Sequence, residues 1–408
     1  MASPRFVLVA LASLLALCVA TAAQAQTLTF EAWRADFIVR AVAEGRSQQS
    51  LELLFADISP DETVLARQRA PSSYTPPMWN YMETRISPAR VARGRELLAT
   101  HRELLLAIEQ RYGVPGEIIL AVWGMETRFG EASLDYDARR SIISLAYAGL
   151  PRRRAEFERH ALALADMIEA GIAPDALASA SWDGGMGQPQ FMPASFLPHA
   201  VDWNSDGQRD IWNNIEDALA SIASYLKNDG WRGGAPILIE TENPAGMTRS
   251  FGPGRFPARV WYSAGLVPFD TPDHHDDMPA ALLQPDGAAG PAFLTFSNFE
   301  VLTRYNGARR YGFATALLAR AIADEPMLRT PWRRPSDALG QAELLEAQTL
   351  LASFGYDVGP ADGIWGERSW RALNAFADDI SLPHADYPRQ IMLVALRDRA
   401  SETHLAPH

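Results

Sequence analysis

The sequence predicts a mainly helical (α+β) fold: a large helical body, a small β-rich insert late in that body, and a compact helical unit at the C-terminus. Three observations point there. Apolar residues recur at helical spacing through most of the stretch from Phe30 to Ala170. After Trp231 the texture changes to short β-branched and aromatic runs separated by glycine and proline. A linker with Pro331, Arg333, Arg334 and Pro335 then precedes about 60 residues, a size at the low end for independent folding.

In chain order, Phe30, Trp33, Phe37, Ile38, Ala41 and Val42 share one helix face, which Gly45 and Ser47 end, and Leu51 to Phe55 forms a short second element. Ala70 to Pro77 reads as an extended loop before Trp79 and Tyr81. Ser87-Pro88 opens one long amphipathic helix to Tyr112. A strongly apolar helix follows from Ile118 to Phe129, with Pro115 suited to its first turn and Gly130 to its stop. Further helices span Ala138 to Ala148 and Arg152 to Ala170. After a glycine-rich loop (Ser181 to Phe196) and an acidic loop (Asp202 to Asp210), another runs from Ile215 to Asn228. In the insert, about 236–297, Ile237 to Glu240 and Arg259 to Tyr262 read as strands, and Ala281 to Leu283 pairs with Ala292 to Phe296 around Pro285-Asp286-Gly287. Helix returns through Arg304-Tyr305-Asn306 and from Tyr311 to Ala323. In the last unit it covers Leu344 to Phe354, Trp370 to Phe376 and Ile391 to Leu396.

The chain has 408 residues, 48 % hydrophobic and 21 % charged, in the range of soluble globular proteins with more than one domain. A net charge of -12 argues against nucleic acid as a partner, and no basic cluster with interleaved aromatics is present. Arg5, the apolar run Phe6 to Val19 and Ala23-Gln24-Ala25 form a signal peptide over residues 1–25, too short for a convincing membrane anchor. Leu17 stands where bacterial lipoprotein signals have a small residue, which weighs against lipidation at Cys18. Cleavage after Ala25 removes Cys18, the sole cysteine, leaving neither disulfide nor thiolate chemistry. The expected compartment is the periplasm, with no transmembrane segment.

Three stretches carry chemistry. Glu126 sits at the end of the apolar run Ile118 to Trp123, where burial raises a carboxyl pKa and suits it to protonate a leaving group. The alternative is a helix-end carboxylate paired with Arg128. The loop from Ser181 to Phe196 combines glycines at 184, 185 and 187 with Ser181, Gln188 and Gln190. Such a loop can wrap a ligand rich in hydroxyls and amides, or merely connect two helices. Asp202, Asn204 and Asp206, with Gly207 at the sixth position, match the first part of an EF-hand loop. Asn213 stands at the twelfth position, and Glu216 follows three residues later. The same residues also suit a solvated acidic turn at a helix start. The eight histidines show no metalloenzyme spacing, and His274-His275 reads as solvated.

The ordered set of Gly-Met-Glu-Thr-Arg-Phe-Gly (124–130), Gly-Met-Gly-Gln-Pro-Gln-Phe-Met-Pro-Ala-Ser-Phe (185–196), the Asp202 loop and Thr303-Arg-Tyr-Asn306 resembles the lytic murein transglycosylase B family over roughly Phe30 to Ala323. Gly355-Tyr356 and Asp362-Gly363-Ile364-Trp365-Gly366 resemble the small three-helix peptidoglycan-binding domain. The resemblance implies a lysozyme-like catalytic region over residues 26–330, a linker over 331–337 and a peptidoglycan-binding domain over 338–400. It implies that Glu126 is the single catalytic acid/base, and that Ser181, Gln190, Tyr225, Tyr305, Asn306, Tyr311 and Tyr81 belong to the groove. It implies structural Ca2+ held by Asp202, Asn204, Asp206, Gln208 through its carbonyl, and Glu216. The implied reaction is non-hydrolytic cleavage of the β-1,4 bond between N-acetylmuramic acid and N-acetylglucosamine of peptidoglycan glycan strands, giving 1,6-anhydro ends. Two rivals stay open: a hydrolytic muramidase with Asp135 or Asp137 as second carboxylate, and a non-catalytic wall-binding protein. Gln188-Pro189 departs from the family's more usual aromatic-glycine pair.

Overall fold

Short polar caps and apolar stripes divide the first half of the chain into brief helices. The computed structural model describes residues 28–70, 75–242, 254–270, 275–287, 290–384 and 386–405. Residues 1–25, expected as a signal peptide, part of the proline-rich loop after Ala70, and His274 lie outside them. Thr29, Ser47 and Asp61 cap α1 (Phe30–Ala43), α2 (Gln48–Phe55) and α3 (Glu62–Arg69), each side chain accepting from backbone N–H groups of the first turn. Next come α4 (Met78–Arg85), α5 (Pro88–Thr100) and α6 (Arg102–Tyr112). The expected single helix from Ser87 to Tyr112 is therefore two. His101, at φ -102° and ψ 23°, ends one and starts the other without any glycine or proline to announce the break.

Nearly every residue of α7 (Gly116–Thr127) is buried. Ile119, Leu120 and Val122 lie in one hydrophobic cluster with residues of α5, α6, α11 (Ile215–Asn228) and α14 (Arg309–Ile322). Each large apolar side chain so enclosed contributes about 1.5–3 kcal/mol. A second cluster gathers α1, α2, α8 (Ala138–Ala148), α9 (Arg154–Glu169), α10 (Pro193–His199) and the Met186–Phe191 segment. Tyr305, in α13 (Ser297–Asn306), packs against both clusters and so marks the seam between them.

The insert is an antiparallel sheet in the order β1-β4-β3-β2, from β1 (Leu238–Thr241), β2 (Phe256–Pro257), β3 (Pro279–Leu283) and β4 (Ala292–Thr295). Leu238 pairs with Thr295, and Leu282 with Leu294. Arg259 to Tyr262, expected as a strand, is helical in α12 (Ala258–Ser263). The segment starts behind Pro257 and buries Trp261, whose indole N–H donates to the Ala280 carbonyl at 3.0 Å. Packing onto β3 outweighs the strand preference of Val260, Trp261 and Tyr262. His275 is half-buried rather than solvated, its ring 6.3 Å from that of Phe296.

After Trp332, whose ring packs 6.0 Å from Phe313, come α15 (Gln341–Ser353), α16 (Glu367–Asp379) and α17 (Gln390–Leu405). They enclose their own cluster around Leu351, Trp365, Phe376 and Leu393.

Candidate active site

Glu126 stands one residue before the end of α7. The chain then makes a left-handed turn over three residues, with φ at 52° for Arg128, 62° for Phe129 and 85° for Gly130. Two of these are not glycine, a conformation that costs roughly 1–2 kcal/mol per residue and clusters at functional sites. The turn folds the Phe129 ring back onto Gly124, where an added Cβ would meet Phe129 Cε1 and Cζ at 2.7 Å. The Gly-Met-Glu-Thr-Arg-Phe-Gly pattern thus has a steric reason: only glycine at 124 admits the ring. Thr127 fastens the turn, its hydroxyl accepting from the Gly130 N–H at 3.1 Å and donating to the Gln188 carbonyl at 3.0 Å.

That second bond brings in the glycine-rich loop. Gln188 is held again by its N–H on the Ile211 carbonyl at 2.9 Å and its side-chain amide on the Trp212 carbonyl at 3.0 Å. Ser181 Oγ donates to Asp183 Oδ1 at 2.7 Å and accepts from the Gly185 N–H at 3.0 Å. Gln190 sits at φ 54°, its amide donating to the Gly187 carbonyl. Gly185 is wedged between the two, since a Cβ there would lie 2.8 Å from Ser181 Oγ and 2.9 Å from Gln190 Oε1.

A cleft of about 500 Å³ is lined by Glu126 together with Ser181, Gln190, Tyr225, Tyr305 and Asn306. Tyr225 and Tyr305 pack 4.7 Å apart, and the Tyr305 hydroxyl donates to the Pro189 carbonyl at 2.8 Å. Tyr311 is buried outside the cleft wall, its ring parallel to Tyr305 at 4° and 6.4 Å. Tyr81 does not line the cleft either. Its ring is flanked by the guanidinium groups of Arg85 at 5.5 Å and Arg310 at 5.1 Å.

Burial pushes the Glu126 carboxyl up to about 7; the Tyr311 hydroxyl and Arg85 pull it partly back, and Asp183 adds to the rise. Glu126 Oε1 and the Tyr311 hydroxyl are both sealed from solvent, yet neither makes a well-formed hydrogen bond. Glu126 is therefore a carboxyl that keeps a substantial share of its proton at neutrality and faces a groove rich in hydroxyls and amides. The Tyr305 and Tyr311 hydroxyls are pushed well above the usual phenol range by burial and by the Glu126 charge, so both remain neutral donors.

Asp135 and Asp137 do not reach the cleft. Asp137 caps α8 and pairs with Arg139 at 2.7 Å, and Asp135 accepts from Ser133. The cleft carries instead Arg153, Glu156, His160, Asp183 and Arg304, none singled out by sequence reasoning. Arg153 and Glu156 pair at 2.8 Å. The only signal for Asp183 was its place inside the glycine-rich loop.

The Asp202 loop turns its oxygens inward. Asp202 accepts from the N–H groups of Asp206 and Gly207, Asn204 Oδ1 accepts from Asp206, and Asp206 accepts from Gln208. Gly207 at φ 90° and Ser205 at φ 61° supply the sharp turn. The acidic anchor is Asp217, fully buried, which accepts from Trp203 at 2.8 Å and Asp210 at 2.9 Å. Burial raises its pKa, these N–H groups oppose the rise, and Asp202 and Asp206 add to it. Glu216 is exposed, beside the junction of α5 and α6. Among the described residues, no three His, Cys, Asp or Glu side chains are drawn together tightly enough to hold a metal. The donor set is nevertheless all hard oxygen, with mutually repelling carboxylates, which fits calcium and not zinc.

The chain as a whole is similar to known proteins. The profile of the Transglycosylase SLT domain family matches residues 29–320. Membrane-bound lytic murein transglycosylase B of Escherichia coli (strain K12) is 30 % identical over 291 residues, covering 68 % of this chain and 79 % of the relative. SltB3 from Pseudomonas aeruginosa, solved in complex with NAG-anhNAM-pentapeptide, is 34 % identical and superposes with a TM-score of 0.70, covering 90 % of this chain and 99 % of that one. The Escherichia coli lytic transglycosylase SLT35, solved in complex with calcium, is 28 % identical with a TM-score of 0.61, covering 71 % and 92 %.

Proposed function

The chain belongs to the Transglycosylase SLT domain family, and from that premise we propose that it is a peptidoglycan lytic transglycosylase with Glu126 as its acid/base. The observation that carries the role of Glu126 is its carboxyl, held up to about 7 at the wall of a cleft that Asp135 and Asp137 do not reach.

Protonated Glu126 donates to the oxygen linking N-acetylmuramic acid to N-acetylglucosamine, and that C–O bond breaks. Positive charge develops at C1 of the muramic acid, where the substrate's own acetamide oxygen assists. Glu126, now a carboxylate, takes the proton of the C6 hydroxyl as that oxygen bonds to C1. No water is consumed, and the product is a 1,6-anhydro sugar. The hydroxyl outcompetes water because it is tethered, which raises its effective concentration by orders of magnitude. Gln190, Asn306 and Ser181 hold acetamide and lactyl groups, and the Tyr225 and Tyr305 rings support the sugar face. The complex of the Pseudomonas relative with an anhydro-muramyl fragment supports this product.

A calcium ion, which supplies charge neutralisation and rigidity rather than chemistry, would be held by Asp202, Asn204, Asp206 and the Gln208 carbonyl, with Glu216 the late acidic partner. The three-helix unit after Leu339 would raise the enzyme's local concentration on an insoluble polymer. Action is in the periplasm after removal of the export signal; among the described residues no helix is long and apolar enough to cross a membrane. The test is release of soluble glycan from purified sacculi. Glu126→Gln should lose release and still pellet with sacculi. Release unaffected by that substitution would overturn the role of Glu126.

A further inference from the structure

Asp183 shares the cleft with Glu126 and, unlike the Arg153-paired Glu156, is a carboxylate there outside any ion pair among the described residues; it takes no part in the reaction just described. It is half-buried, and among the described residues it forms no ion pair; Arg153, which pairs with Glu156, and His160 are the neighbouring groups that feel its charge. Among the described residues its one hydrogen bond is from Ser181 Oγ at 2.7 Å. A serine hydroxyl has one proton and two lone pairs. The proton goes to the Asp183 carboxylate at 2.7 Å in preference to the Gly185 carbonyl at 3.3 Å, and the Gly185 N–H takes one lone pair. What Ser181 offers the cleft is the remaining lone pair, an acceptor only.

We propose that Asp183 is a positioning residue for the reaction: it fixes the Ser181 hydroxyl as an acceptor for the acetamido N–H of a substrate sugar, and it sets a negative charge that is in no ion pair in the cleft that Glu126 shares. The inference rests on the transglycosylase reading of the site.

Two consequences follow from the chemistry. First, an N–H donor is selected at Ser181 over an acceptor such as a carboxylate or ether oxygen. Second, a fixed anion favours the protonated acid. The groups facing Glu126 from its neighbours are Tyr311 of α14, Tyr305 of α13, Arg85 of α4 and Asp183 of the loop. Asp183 is the member of that set whose charge works to keep the proton on. It also favours the positive charge that develops at C1 as the glycosidic bond breaks.

The test is the pH dependence of kcat/KM on a soluble peptidoglycan tetrasaccharide for the wild type, Asp183→Asn, Asp183→Glu and Ser181→Ala, with thermal unfolding of each. Asp183→Asn removes the charge at nearly constant shape and should move the alkaline limb down by roughly half a pH unit. Asp183→Glu keeps the charge and should leave the limb in place. Ser181→Ala should raise KM about tenfold without moving the limb. An active wild type whose limb is the same in Asp183→Asn would overturn this inference and spare the assignment of Glu126. A wild type with no turnover would sink the transglycosylase reading itself, and this inference with it.

Discussion

The hydroxyl of Thr127 donates to the carbonyl of Gln188 at 3.0 Å, across 61 residues of sequence. This bond joins the helix end that carries Glu126 to the loop that carries Ser181, Asp183 and Gln190. Replacing Thr127 with valine keeps the shape and removes the bonds to Gln188 and Gly130. The expected loss is about 1–3 kcal/mol of stability, read by chemical denaturation. Turnover should fall on the order of tenfold at a temperature where the variant is fully folded, because small displacements of an acid are costly. Normal turnover in a destabilised variant would show that the tie serves folding alone.

The raised Glu126 pKa makes wild-type stability and activity fall together as pH rises. Folded-state protonation near 7, against 4.5 for the unfolded chain, means that its stabilising share is fully present below about 4.5 and is lost as pH rises through 7. Glutamine does not ionise. Glu126→Gln should therefore unfold like the wild type at pH 4 and be more stable by about 3 kcal/mol at pH 8. Wild-type activity should fall over the same upper range as the proton is lost. Equal stability of the two proteins at pH 8 would contradict the buried-acid assignment.

Calcium bound among Asp202, Asn204 and Asp206 would relieve the repulsion that the Asp202 and Asp206 carboxylates exert on Asp217. A chelator should lower the melting temperature by several degrees, with restoration by calcium and not by magnesium, whose smaller octahedral shell suits the loop poorly. Turnover at low temperature should be largely preserved, because the chemistry requires no Lewis acid. A melting temperature indifferent to chelator would remove the metal from the account.

Much of this was legible in the sequence for local reasons. A carboxylate ending an apolar run, three glycines beside two glutamines, and alternating oxygens before a helix are patterns within a dozen residues. What the sequence hid depends on tertiary placement. His101 breaks a helix without a breaking residue, and Trp261 turns a strand-like run into a helix by reaching Ala280. Asp217 anchors the acidic loop although the EF-hand spacing directs attention to Asn213 and Glu216. Asp183 looked like one polar residue in a loop until the fold set it in the cleft with Glu126, while Asp135 and Asp137, nearer in sequence, went elsewhere.

The central claim is that a single acid, Glu126, cuts glycan strands without water. Purified sacculi digested with the mature protein, beside the Glu126→Gln control, test it by the mass of the soluble muropeptides. The expected result is fragments one water lighter than hydrolytic products and resistant to borohydride reduction, absent from the control. Reducible ends of hydrolytic mass would contradict the account and direct the search for a water-activating base to Asp183.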